Sequence, residues 1–130
     1  MAGYLIVFLG GGIGAALRHG VNVRFARWLS STYPYSTLFV NVSGSFVMGL
    51  IVGYFALKGE RAESARLFLA TGLLGGYTTF SAFSLDAVQL WDRGQTVAAA
   101  GYVASSVVAS ILGLVAGLVI IRQLAPAIQD

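Results

Sequence analysis

Thr71 to Ser84, TGLLGGYTTFSAFS, is the stretch on which the reading of this chain turns. It sits inside an apolar run, yet its middle is a poor membrane helix. Gly72, Gly75 and Gly76 weaken helix there, because glycine has the most backbone freedom to lose. Thr78, Thr79, Ser81 and Ser84 then crowd hydroxyls into one short segment, with Phe80 and Phe83 interleaved at i, i+3, where a helix puts both rings on one face. Irregular backbone at membrane depth is tolerated only inside protein or beside a watery cavity. The segment therefore reads as a broken helix beside an ion path.

Composition agrees that the solvent is a bilayer. The chain has 130 residues, 57% hydrophobic and 10% charged, with mean hydropathy +0.80. A soluble domain carries about 25% charged residues. No cysteine is present, which excludes disulfide frameworks and thiolate metal sites. One histidine and five acids leave little for a catalytic centre, so no enzyme is expected. The net charge of +3 is small, and nothing resembles a basic face for nucleic acid.

Four spans follow from the hydropathy pattern, at about 3–29, 37–57, 67–90 and 95–121, each near the length a bilayer needs. They make one transmembrane domain over 1–130, all-α, with its third helix broken mid-membrane. It is too small to enclose a wide pore alone, so an oligomer is expected. Met1 to Leu17 resembles a signal peptide in its apolarity but lacks a basic region ahead of it, so it reads as the start of the first span. Ser30 to Ser36, with Pro34, reads as a loop. KGERAESAR, 58–66, reads as a solvated connector without chemistry, and Asp92, Arg93 and Gly94 as a turn. Pro126 marks a frayed tail.

Polar side chains within the spans are the candidates for function. Thr37, Asn41 and Ser45 make a stripe at i, i+4, i+8 on the second span, and Tyr102, Ser106 and Ser110 make another on the fourth. The Asn41 amide is either packing glue between helices or a donor lining a pore. Arg18 either snorkels to the headgroups or stands at the mouth of an anion path. Asp86 is either solvated at the interface or a proton-carrying carboxylate. Each span also holds a GxxxG pair: Gly10 with Gly14, Gly49 with Gly53, Gly72 with Gly76 and Gly113 with Gly117. Such pairs signal tight packing and nothing more.

Charge barely chooses an orientation. One side collects Lys58, Arg61, Arg66 and Arg122, the other Arg24, Arg27 and Arg93, with Arg18 inside the span. Such a chain either inserts one way on the strength of one or two charges or inserts both ways and pairs with its inverted copy. The chemistry suits a small, strongly hydrated anion. Hydroxyls and an amide donate hydrogen bonds, and aromatic rings carry a positive edge. Weak neutral donors favour entry without forbidding exit, as conduction requires. Freed carbonyls near Gly75 to Thr78 could hold a small cation.

Three motifs resemble those of the Fluc (CrcB) family of fluoride channels: GGGIGAALRHGV (Gly10 to Val21), TLFVNVSG (Thr37 to Gly44) and TGLLGGYTTFSAFS (Thr71 to Ser84). The resemblance covers the whole chain in length, spans and motif order. It implies a passive fluoride-selective channel in the bacterial inner membrane, bathed in lipid, working as a dual-topology homodimer of antiparallel subunits. It implies Phe80 and Phe83 as aromatic pore residues, Asn41 as the amide beside them, and Thr79 and Ser81 as polar supports. Tyr102, Ser106 and Ser110 match the polar track, and Arg18 the vestibule. Gly75 and Thr78 would offer backbone carbonyls to a structural sodium ion. Ala82 departs from a position often hydroxylated, and Tyr77 from one more often aliphatic. The alternative is a small dimeric proton-coupled transporter, either a fluoride/proton antiporter or a drug exporter using Asp86.

Overall fold

Long apolar runs without an interior proline satisfy their backbone groups most simply as helices, and a bilayer leaves little other choice. The computed structural model describes residues 1–29, 32–58 and 63–129, and nearly all of them are helical. Residues 59–62 of the expected connector, Arg61 among them, lie outside the described residues, while its remaining residues are helical. Helix α1 is Ala2–Trp28 and α2 is Tyr35–Lys58. Helix α3 covers 63–77, in three parts: a turn Glu63–Arg66, a wider π-helical stretch Leu67–Leu74 and a last turn Gly75–Tyr77. Helix α4 is Phe80–Asp92 and α5 is Thr96–Gln129.

Among the described residues, three helical segments are long and apolar enough to cross a membrane: Ala2–Trp28, Tyr35–Leu57 and Thr96–Pro126. The third expected span, 67–90, is instead shared between α3 and α4. The last helix runs past the expected end at 121 and through Pro126. Exposed side chains match a lipid solvent: Phe8 is 75% exposed, Leu112 62% and Trp91 63%, far too much apolar surface for water.

Two glycine seams assemble the bundle. In the first, α1 runs parallel to α3. A Cβ on Gly72 would come within 3.0 Å of the Gly10 Cα, one on Gly14 would overlap the Leu73 carbonyl, and one on Gly76 would overlap the Gly11 carbonyl. In the second, α2 runs parallel to α5. A Cβ on Gly49 would overlap the Leu114 carbonyl, one on Gly117 the Phe46 carbonyl, and one on Gly53 would stand 3.0 Å from the Ile121 Cβ. The four GxxxG pairs are thus two mated sets, and their missing side chains let backbones touch.

The glycines do not break α3, contrary to the expectation. Gly75 keeps helical torsions, φ −62° and ψ −35°. The helix stops at Thr78 (φ −78°, ψ 158°) and Thr79 (φ −153°, ψ 121°), which are extended. Loosening ahead of the break takes another form. Over Leu67–Leu74 the hydrogen bonds reach one residue further back, as in Gly75 N–H to the Ala70 carbonyl. Runs of this kind are rare and gather near functional sites.

Helix α4 returns to α5 through a tight corner. Gly94, at φ +75°, is the one positive-φ residue among those described. Its N–H donates to the Trp91 carbonyl at 2.8 Å, and the Gln95 N–H to the Leu90 carbonyl at 3.0 Å. That double closure is a Schellman cap, which needs glycine in the left-handed position. It brings Phe83 and Leu90 of α4 against Ala99 and Tyr102 of α5, all buried.

Candidate functional site

The break leaves backbone groups without helical partners, and side chains answer for them. At the end of α3, the Thr78 N–H and hydroxyl both donate to the Leu74 carbonyl, each at 2.9 Å. The Thr79 N–H would next close onto the Gly75 carbonyl. It donates instead to Asn41 Oδ1 at 2.8 Å, while Asn41 Nδ2 donates to the Thr79 carbonyl at 2.9 Å. One amide thus grips both polar groups of a single extended residue. Across the break, Thr79 Oγ1 caps α4 by accepting from the Ala82 N–H at 3.2 Å, and it also meets Ser81 Oγ at 3.2 Å. Ala82 therefore contributes its backbone where a hydroxyl was looked for. Ser84 folds its hydroxyl back to the Phe80 carbonyl at 2.9 Å.

A groove of about 400 Å³ lies beside the break, between α2, α4 and α5. Asn41, Thr78, Thr79, Phe80, Phe83, Ser106 and Ser110 line it, so the structure gathers most of the candidates in one place. The two phenylalanines differ sharply. Phe83 is 8% exposed and Phe80 78%, with ring centroids 5.4 Å apart and tilted by 44°. The Ser106 hydroxyl is buried in the groove wall without a hydrogen-bond partner. A buried unpaired hydroxyl costs free energy, on the order of 1–3 kcal/mol, unless something visits it.

Tyr102 stands apart from its stripe mates. It is fully buried, behind Phe83 rather than in the groove, with ring centroids 5.4 Å apart, and Tyr33 meets it edge-on at 5.7 Å. Its hydroxyl donates to Asp86 Oδ2 at 3.2 Å. Asp86 is thus half-buried and bonded to the fourth-span stripe, not simply bathed in solvent as the interfacial reading had it. Arg18 lies outside the groove lining, half-buried, with its Nε unpaired.

Ser45, in the second-span stripe but given no pore role, shares the groove with Asn41, as do Gly44 and Met48, which sequence reasoning left out. Helical spacing held that signal, since they fall at i+4, i+3 and i+7 from Asn41. No spacing could have linked Tyr102 to Asp86 or Asn41 to Thr79.

For cations, oxygen donors are what the break supplies. The Gly75 carbonyl has lost its helical amide to Asn41, at the negative end of α3. Unpaired carbonyls at a helix C-terminus suit a hard cation with oxygen ligands. Among the described residues no cluster of His, Cys, Asp and Glu could hold a metal ion.

The family model for "CrcB-like protein, Camphor Resistance (CrcB)" matches residues 5–118. A Rhodopseudomonas palustris protein named fluoride-specific ion channel FluC is 60% identical over 121 residues, covering 93% of this chain and 98% of its own length. A Nitrobacter hamburgensis protein named fluoride-specific ion channel FluC 2 is 54% identical over 121 residues, with the same 93% and 98% coverage. A Methylobacterium nodulans protein named fluoride-specific ion channel FluC is 52% identical over 123 residues, covering 95% and 98%. Matched along almost its whole length, with its second and third motifs lining one groove, the chain belongs to the CrcB family.

Proposed function

We propose that this chain is a fluoride-specific ion channel of the bacterial inner membrane, not an enzyme, and that it exports fluoride passively. The observation that carries the reading is the groove beside the break, with two phenylalanines, the Asn41 amide and the buried, unpartnered Ser106 hydroxyl. The names of relatives up to 60% identical support the ion. All four spans, counting α3 and α4 together as the broken third, cross the bilayer as a single domain in contact with lipid. Two copies insert in opposite orientations as an antiparallel homodimer, in keeping with the nearly balanced basic residues.

In this reading neutral donors and ring edges replace the water around one halide. Phe80 and Phe83 present positive edges, and Ser106 and Ser110 present hydroxyls on the opposite wall. Asn41 offers the Nδ2 hydrogen not used on Thr79. Tyr102 supports Phe83 from behind, Thr79 and Ser81 hold the start of α4, and Arg18 raises the local anion concentration at the entrance. A weak acid enters a cell neutral, loses its proton and leaves its anion trapped. The membrane potential then drives that anion out, at about 2.3 kcal/mol per charge per 100 mV. The carbonyls of Gly75 and Thr78 would hold a structural sodium ion, whose chemistry is only to fix their geometry.

Efflux from proteoliposomes tests the proposal, with chloride as the comparison ion and no pH gradient. Fluoride should leave rapidly and chloride should stay. Equal passage of both ions, or of neither, would sink the reading.

A further inference from the structure

A second contact holds the break, and it involves Tyr77, the last residue of α3. The Tyr77 hydroxyl lies 3.2 Å from Ser43 Oγ. Ser43 donates its one hydrogen to the Phe39 carbonyl at 2.6 Å, so Tyr77 is the donor to Ser43. The pair forms a chain from Tyr77 through Ser43 into the backbone of α2.

Position gives this contact its meaning. On α2, Ser43 is two residues after Asn41. On the broken segment, Tyr77 is two residues before Thr79. Asn41 grips Thr79 and Ser43 grips Tyr77, so the two contacts are rungs of one ladder running antiparallel along α2. Gly44 closes the gap between them. A Cβ there would overlap the Thr78 methyl and reach within 3.2 Å of the Tyr77 ring. The carbonyl end of α3 is therefore pinned on one side of Thr78 as well as the other. Asn41 holds the residue after the turn and Ser43 the residue before it, while the glycine seam holds the rest of α3 against α1.

We infer that Tyr77 is a positioning residue, and that its hydroxyl on Ser43 sets the angle at which α3 delivers the break, and with it Phe80, to the groove. The inference rests on the channel reading above. An aliphatic residue at 77 could fill the same space but could not make the rung.

The test is fluoride efflux from proteoliposomes with Tyr77→Phe, Ser43→Ala and the pair combined. Tyr77→Phe keeps the ring and its packing, so it should fold, elute and melt as the parent does. Its efflux should slow about fivefold, the factor one ordinary hydrogen bond is worth. Ser43→Ala should slow efflux equally, and the double variant no further, because both remove one contact. Ser43→Thr keeps the hydroxyl and should restore the parent rate. Parental efflux in Tyr77→Phe would overturn the inference, as would slowing that multiplies in the double variant. Absence of fluoride flux from the unaltered protein would instead remove the channel reading, so the two failures are separable.

Discussion

The glycine seam along α1 and the break after Tyr77 belong to the same short segment, yet they are held by opposite kinds of contact. At the seam, Gly10 and Gly14 meet Gly72 and Gly76 with nothing between the backbones. Two residues later the chain lets go of helix, and Asn41, Thr78 and Thr79 satisfy what it exposes. The seam is tight because side chains are missing. The break is ordered because particular side chains are present. Packing that depends on absence tolerates no addition, while packing that depends on hydrogen bonds tolerates changes of shape that preserve the donors and acceptors. Stability should therefore reside at the seam and transport at the break.

The largest separation of the two regions should come from the rings. Phe80→Ile, at an exposed ring, should reduce fluoride efflux to that of protein-free vesicles while leaving the thermal melt in detergent nearly parental, and Phe83→Ile should stop efflux at a stability cost of about 1 kcal/mol, because that ring is buried. Undiminished flux in both variants would remove the rings from the path. At the seam the pattern reverses. Gly14→Ala forces a methyl onto the Leu73 carbonyl and should cost about 1–3 kcal/mol of stability. Gly20→Ala, with nothing within 4 Å of its Cβ, is the control and should melt as the parent does. Equal melts for the two would break the comparison at the seam.

A smaller effect tests the cap. Thr79→Ala deletes the acceptor for the Ala82 N–H and should lower stability by about 1 kcal/mol, whereas Thr79→Ser should recover most of it. Chemical denaturation of the three proteins in detergent measures this directly. The smallest change expected is Asp86→Asn. The amide oxygen still accepts from the Tyr102 hydroxyl, so efflux should stay close to parental. Loss of flux on that substitution would point to a carboxylate that carries protons and would favour a transporter over a channel.

Much of this architecture could be read from residue order, for a simple reason. Lipid makes helices obligatory, so hydropathy alone located α1, α2 and α5 to within a few residues, apart from the longer C-terminal end of α5. The glycine pairs were visible too, but not which pair meets which, since mating depends on how the spans are arranged in space. The break was expected in the right segment for the wrong reason. Glycines 72, 75 and 76 weaken an isolated helix, yet Gly72 and Gly76 pack closely against α1 and Gly75 between them stays helical. Helix ends where Asn41 offers the Thr79 backbone a better partner than the Gly75 carbonyl. That competition crosses 38 residues of sequence and leaves no local mark. The wide turns of Leu67–Leu74 are silent in the same way, because nothing in the residue types distinguishes them from ordinary helix.

The Asn41 clamp limits how firmly this part of the wall can hold a guest. A carboxamide brings two hydrogens, and the Thr79 carbonyl has taken one of them. A visitor is left a single point of attachment, too little to detain it. The brace that keeps the segment in shape is thus also a ration on stickiness, and throughput depends on the shortage.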